Sequence, residues 1–186
     1  ETYLTLVERV RELLPGAALS SDFISGYCGE TAEDHEQTLS LLREVRFEKA
    51  FMFAYSMREK THAHRALLDD VPEAIKKQRL FEVIQTFNKG ARERNAEEVG
   101  RQHLLLLEGT SRKSDTEWVG RTDTNKKVVI PRKQVSASPY LSSEVDLSPG
   151  DYVAVRVTEA ISHNTLRAEP IARCSIAEFK RLRMAG

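Results

Sequence analysis

The spacing of apolar residues changes character partway along the chain, and the two patterns predict different kinds of structure. Leu4, Val7, Val10 and Leu13/Leu14 recur at helical intervals, and Pro15-Gly16 stops that helix. Residues 17–24 predict a strand. Residues 32–46 predict an amphipathic helix with Leu39, Leu42 and Val45 on one face. The run KAFMFAY at 49–55 is short, apolar and aromatic, and predicts a second buried strand. Strand, helix, strand with short joints is a parallel βαβ unit, whose crossover should be right-handed. A loop rich in charge and histidine follows at 56–70. Pro72 then suits the first position of a long helix over 72–98, with Ile75, Leu80, Val83, Ile84, Phe87 and Ala91 as its apolar stripe. Its polar end, ARERNAEEVG, suits a helix that bridges two domains.

From residue 101 onward short strands take over. HLLLLEG, EWVGRTDTNKKVVIP and PGDYVAVRVTEAISHNTLRAEPI carry β-branched residues bounded by Gly, Asn, Asp and Pro. The His163-Asn164 pair between two alternating runs predicts a hairpin turn. A segment of about 70 such residues predicts a small closed or nearly closed β-barrel, similar in class to oligonucleotide-binding barrels. Residues 175–184 predict a short terminal helix. Two strands cannot cover both faces of a parallel sheet, so the first segment reads as the end portion of a larger α/β fold. The fold class is therefore α/β plus all-β. It divides into an α/β segment at 1–70, a linker helix at 71–100, a barrel at 101–174 and a tail or short helix at 175–186.

A chain of 186 residues can hold one large domain or two small ones. The formal net charge is zero, so no strong overall field advertises a nucleic-acid or membrane partner. No apolar run approaches the length of a membrane span, so no membrane partner is expected. A first residue of Glu1 rather than methionine reads as a processed or excised piece. Cys28 and Cys174 stand far apart with no C-x-x-C spacing, which argues against a disulfide framework and against a structural zinc site.

Candidate chemistry gathers at strand ends. The stretch SSDFISGYCGET at 20–31 predicts a strand that ends in a glycine-bracketed loop and feeds a helix. Open α/β sheets and barrels hold ligands at this place. Thr31 suits the N-cap, with Asp34 at the third helical position. Gly26 and Gly29 let the backbone turn sharply and approach a ligand. Phe23 and Ile24 read as core. Asp22 is polar in an otherwise buried strand and needs a partner, either structural or a cofactor. Glu30 reads as a loop-ordering carboxylate ahead of a catalytic base, and Cys28 as an ordinary small residue ahead of a reactive thiol. Tyr55, Ser56 and Arg58 lie just past the second strand, where polar residues line sites. Arg58 is either a phosphate grip and stacking group or a solvated loop arginine. His62 and His64 read as solvated loop residues rather than a zinc pair, for want of a third ligand nearby. In the barrel, Arg112, Lys113, Arg121, Lys126, Lys127, Arg132 and Lys133 cluster in one span, as a solvated surface or as phosphate contacts. Trp118 reads as barrel core, and Tyr152 as core or as a base-stacking ring.

These segments, taken in order, resemble a known family. DFISGYCGET, a helix, FMFAYSMREKT and VPEAIKKQRL resemble the late barrel segment of radical S-adenosylmethionine methylthiotransferases of the MiaB type. Their usual readings are D-I-I-V-G-F-P-G-E-T, F-x-Y-S-x-R-x-G-T and V-P-E-E-V-K. EGTSRK, VGRTDTNKKVVIP, PGDYVAVRVTEA and NTLRAEP resemble the TRAM domain that closes these enzymes. Cys28, where bacterial members have proline, resembles the eukaryotic mitochondrial branch, named after a cyclin-dependent-kinase regulatory-subunit-associated protein. Lys60 stands where the motif has glycine and Ile130 where an aromatic is common, and neither change removes a group the chemistry requires.

The resemblance implies an enzyme that adds a methylthio group to C2 of an N6-isopentenyladenosine beside the tRNA anticodon. It implies two 4Fe-4S clusters, one cleaving S-adenosylmethionine to a radical and one involved in sulfur delivery. Each needs cysteine thiolates, which the family supplies from a C-x-x-x-C-x-x-C motif and an N-terminal domain. Two isolated cysteines supply neither set, so the resemblance implies a C-terminal part, silent alone, with no catalytic residue and no cluster or cofactor bound. By the same resemblance Asp22, Gly26, Glu30 and Tyr55 face the cofactor. Ser56, Arg58, Arg112, Lys113, Arg121, Lys126 and Lys127 face the tRNA anticodon arm. The implied partners are that arm, S-adenosylmethionine and the N-terminal domains of the same protein. The implied compartment is the mitochondrion, with the cytoplasm as the alternative. A protein-interaction module that meets a kinase activator stands as the second function class.

Overall fold

Helix α1 (Thr2–Leu13) ends ahead of Pro15, and the chain then enters strand β1 (Ser20–Ser25). Residues 2–185 are described by the computed structural model, which divides into two units, Glu1–Ala91 and Arg92–Gly186. In the first unit β1 pairs in parallel with β2 (Lys49–Ala54), from Ser20 opposite Lys49 to Ser25 opposite Ala54. Helix α2 (Ala32–Val45) joins them. Its capping box is present as the sequence predicts. Thr31 Oγ1 accepts from the Asp34 N–H at 3.1 Å, and the Asp34 carboxylate accepts from the Thr31 N–H at 2.9 Å. The predicted loop at 56–70 contains a single short helix, α3 (His62–Ala66), and the long helix α4 spans Glu73–Ala96.

One face of the two-stranded sheet is covered. Phe23, Ala50 and Met52 pack with Val7, Leu39, Leu42, Val45, Phe47 and Val83, and the Phe23 and Phe47 rings meet edge to face at 5.5 Å. The other face is open. Ile24 is 56% exposed and Phe53 53% exposed, with Asp22 and Phe51 beside them. This corrects two expectations. Ile24 is not core, and β2 is buried on one side only, because successive side chains of a strand point to opposite faces and only one face has neighbours. The stripe of α4 is also corrected. Ile75 is exposed, and Lys76 takes the buried position one residue later.

The second unit is a sheet that closes on itself. The strands are β3 (Gln102–Ser111), β4 (Ser114–Thr122), β5 (Lys127–Pro131), β6 (Val135–Ser138), β7 (Leu141–Val145), β8 (Tyr152–Ser162) and β9 (Thr165–Arg173). Their order is β5-β4-β3-β8-β9, and a parallel pairing of β5 with β9 completes the ring. The β6–β7 hairpin hangs from β9. Inside lie Leu105, Leu107, Trp118, Val128, Ile130, Val153, Val155, Val157 and Leu166. The predicted barrel and the His163-Asn164 turn, flanked by paired Ser162 and Thr165, are both present. The β6–β7 hairpin is an element the apolar pattern does not signal.

The last turn of α4 belongs to this unit. The Asn95 side-chain amide donates to the Ser162 carbonyl at 2.8 Å, and its carbonyl oxygen accepts from Lys126 Nζ at 2.8 Å. Helix α5 (Ile176–Ala185) occupies the predicted terminal segment. It is capped reciprocally by Ser175 and Glu178, and Phe179 packs against Ala154 and Cys174.

Candidate functional site: a strand-end loop and a nucleic-acid interface

The loop after β1 is held by side chains that come mostly from outside it. Gly26 has φ +79°, in the left-handed region, and it is buried. A Cβ there would lie 3.0 Å from Lys76 Cβ and closer still to Lys76 Cγ. The Gly26 N–H donates to Glu30 Oε2 at 2.7 Å. Arg79 Nη1 donates to the same carboxylate oxygen at 2.7 Å and to the Glu30 carbonyl at 2.8 Å. Glu30 is thus the loop-ordering carboxylate that the sequence favours. The Gly29 N–H donates to Asp70 Oδ1 at 2.7 Å, and the Tyr55 N–H donates to the Ser25 carbonyl at 2.8 Å.

Beneath the loop lies Lys76, whose side chain is only 1% exposed. Its ammonium is 2.7 Å from Asp69 and 3.0 Å from Glu73, and lies 5.5 Å from the centre of the Tyr55 ring. The Asp69 hydrogen bond holds its pKa above the ordinary lysine value against the opposing effect of burial. Tyr55 meets Tyr27 edge to face at 5.0 Å. Burial, and then its hydrogen bond with the Cys28 thiol, raises the Tyr55 pKa.

Lys76, Arg79, Asp69 and Asp70 are residues that sequence reasoning missed. A signal was present, because 76, 80, 83 and 87 share one helical phase and Lys76 is the cation in it. Asp22 lies on the open face of β1 and is exposed. The expectation that it needs a partner rested on a strand buried on both faces, and that burial does not occur. Ser56 and Arg58 are exposed, and the Arg58 carbonyl accepts from Thr61 Oγ1 at 2.7 Å. Between them and α3, Lys60 adopts φ 66°. The glycine of the family motif therefore has a conformational reason. His62 and His64 are both exposed.

On the barrel, Arg112 and Lys113 form the β3–β4 turn, Arg121 lies near the end of β4, and Lys126 and Lys127 follow in the β4–β5 turn. The nine residues of β4 separate the two turns by about 27 Å. The five cations therefore form two groups rather than one. Arg112, Lys113 and Lys127 are exposed. Arg121 pairs with Glu108 at 3.2 Å and donates to Asn125 Oδ1 at 3.0 Å. The Lys126 side chain is 10% exposed, held by Asn95 and lying 3.9 Å from Glu98. His103, above all, holds Glu98 below the usual carboxylate range against its burial. Trp118 is core, 5% exposed, with the Arg132 guanidinium 4.5 Å from its ring centre. Tyr152 stands half-exposed beside a groove of about 500 Å³ between β3 and α5. Among the described residues no group of His, Cys, Asp and Glu could hold a metal ion, and no helix is long and apolar enough to cross a membrane.

A closed barrel bearing cations at its turns has the architecture of a small RNA-binding module, and residues 96–171 match the TRAM domain, so the second unit carries a TRAM domain. The likeness extends beyond it to the rest of the chain. The chain is 47% identical over 178 residues to the mouse (Mus musculus) protein named mitochondrial tRNA methylthiotransferase CDK5RAP1, which covers 96% of this chain and 30% of that protein. It is 43% identical over 183 residues to a CDK5RAP1-like protein of Oryza sativa, with 96% and 30% covered. It is 42% identical over 171 residues to a tRNA-2-methylthio-N(6)-dimethylallyladenosine synthase of Phocaeicola vulgatus, with 92% and 35% covered. The chain thus spans about a third of the length of the curated relatives it matches, and the resemblance to MiaB-type methylthiotransferases read from its motifs is borne out.

Proposed function

We propose that this chain is the C-terminal part of a radical S-adenosylmethionine tRNA methylthiotransferase. The enzyme would add a methylthio group to C2 of N6-isopentenyladenosine beside the anticodon, and the second unit would hold the tRNA. The observation that carries this reading is the 47% identity that runs through both units, over 96% of the chain, to a relative named for that activity. The relatives' printed names also support a mitochondrial location.

The first unit would present the ends of β1 and β2 to the cofactor. Asp22, on the open face, and the Gly26–Glu30 loop at its rim fit that role by position. Glu30 would act by holding the loop in shape, since its carboxylate already binds Gly26 and Arg79. Tyr55 would wall the same end, with Ser56 and Arg58 exposed beyond it toward the substrate. The clusters would supply radical cleavage and sulfur. Their thiolates would come from elsewhere in the protein, because this chain's two cysteines fall in different units. In the second unit the exposed cations Arg112, Lys113 and Lys127 would meet phosphates, with Arg121 free to exchange Glu108 for one. Lys126 would instead fix the turn that carries Lys127.

Fluorescence anisotropy of the chain with a labelled anticodon stem-loop, at several salt concentrations, tests the RNA role. Binding should weaken with salt, and Lys113→Gln with Lys127→Gln should flatten the log–log salt plot by roughly one for each lost contact. Absence of salt-dependent binding at low ionic strength would remove this role. The activity is tested in cells depleted of the protein that carries this chain. Their tRNA digests should lose the 2-methylthio form and accumulate unmethylthiolated isopentenyladenosine.

A further inference from the structure

A second concavity of the barrel, of about 410 Å³, lies apart from the cations just assigned, and Trp118, Arg132, Lys133, Gln134, Asp146 and Leu147 line it. Its floor is built. Trp118 is seated in the core and the Arg132 guanidinium lies over the indole at 4.5 Å. The Arg132 backbone is pinned as well, since its N–H donates to the Thr116 carbonyl at 2.8 Å just beyond the Glu117–Pro131 pair. A planar guanidinium laid on an aromatic ring keeps its second face available for stacking, and a second flat π-system suits it. Fixing that plane in advance lowers the ordering cost of binding.

The rim supplies the rest of a nucleotide's complement. Gln134 offers an amide donor and acceptor, Asp146 an acceptor, and Lys133 a cation, and all three are exposed. Lys133 lies 2.7 Å from Glu169, but both are half-exposed, and an exposed pair of this kind yields readily to a phosphate. The Arg112-Lys113 turn stands at the same end of β4, because Arg132 faces Thr116 and Ser111 pairs with Ser114. A phosphate backbone leaving the pocket can therefore continue toward those cations.

We propose that this pocket takes one unstacked base of single-stranded RNA. The base stacks on the outer face of Arg132, with Gln134 and Asp146 at its polar edge and Lys133 toward the adjoining phosphate. The proposal rests on the RNA-binding reading of the second unit and adds a base contact that the phosphate-binding cations do not provide.

Trp118 is the single tryptophan of the chain, so its emission reports on this pocket alone. The whole chain is titrated with the labelled anticodon stem-loop and with single-stranded oligoadenylate and oligouridylate. Tryptophan emission should change saturably along the same isotherm as the anisotropy. Arg132→Lys keeps the charge and loses the plane. It should weaken binding about tenfold with the salt slope unchanged, as loss of one stacked base would. Lys133→Gln should lower the slope instead. Gln134→Ala, at an exposed position remote from the core, should alter the ratio of adenylate to uridylate affinity even if Arg132→Lys perturbs the barrel. Salt-dependent binding with unchanged emission, and with both Arg132→Lys and Gln134→Ala behaving as wild type, overturns the pocket and leaves the RNA reading standing. No salt-dependent binding at all overturns both.

Discussion

Gly26→Ala is the sharpest probe of the strand-end loop, because two independent costs meet at one atom. The position has φ +79°, where a side chain other than hydrogen costs about 1–2 kcal/mol. The new Cβ would also stand 3.0 Å from Lys76 Cβ and 3.2 Å from Lys76 Cα, and nearer than either to Lys76 Cγ. Lys76 cannot swing aside cheaply, since its ammonium is fixed by Asp69 at 2.7 Å and by Glu73 at 3.0 Å. Overpacking of this kind costs roughly 1–3 kcal/mol. The sum is about 2–5 kcal/mol, confined to the first unit. The two units need not unfold together, so a single melting temperature is the wrong readout. Hydrogen exchange on peptides from β1, α2 and β2 resolves the first unit by itself. Protection there should fall by about 30-fold to a few thousandfold, with β3–β9 unaffected. In a Lys76→Ala background the Cγ contact is gone and only the backbone cost remains, so the additional penalty of Gly26→Ala should drop to about 1–2 kcal/mol. An equal penalty in both backgrounds would refute the close approach, and a penalty below about 0.5 kcal/mol would refute the backbone argument too.

Three further outcomes are expected. Lys60→Gly should stabilise the first unit by a few tenths to about 1 kcal/mol, because relief of the left-handed conformation exceeds the added freedom of the unfolded chain; denaturant midpoints read by far-ultraviolet circular dichroism check it. The Glu98 carboxyl is held below its ordinary value, so it contributes stability to the second unit above the unfolded value of about 4.3, and that contribution is lost as pH falls through the lower folded value. Denaturation of wild type and Glu98→Gln between pH 6 and pH 3 should show a shallower acid loss in the variant, and equal slopes would count against the His103 contact. Ser175→Ala removes the cap of α5 and should cost about 1 kcal/mol, seen as roughly fivefold faster exchange in that helix alone.

Much of the fold is legible in the sequence because its signals are local. The parallel pair, the Thr31–Asp34 box, the Pro72 start and the His163-Asn164 turn each rest on a few neighbouring residues. Burial of a strand's second face does not. KAFMFAY is apolar on both sides, and nothing in the run tells whether Phe51 and Phe53 have neighbours. The β6–β7 hairpin escapes for the opposite reason. VSAS and LSSEV are polar, and the hairpin is tied to β9 through the pairing of Ser136 with Ala172, distant in the chain. In the site, the motif residues are the visible half of an arrangement whose other half, Lys76, Arg79, Asp69 and Asp70, comes from a different stretch of chain. Closeness in sequence misleads on the barrel as well. Lys113 and Lys127 are near in number, yet a whole strand lies between them.

The placement of the two cysteines makes each unit separately addressable by thiol chemistry. Cys28 is partly open at the loop, whereas Cys174 is 3% exposed under α5 and burial raises its pKa, which lowers the share of reactive thiolate. A maleimide should therefore mark Cys28 first. A second dye, added under conditions that loosen α5, should then mark Cys174. The result is a donor and an acceptor on opposite units with no engineered residue, a ruler for how the two halves reorient when RNA arrives.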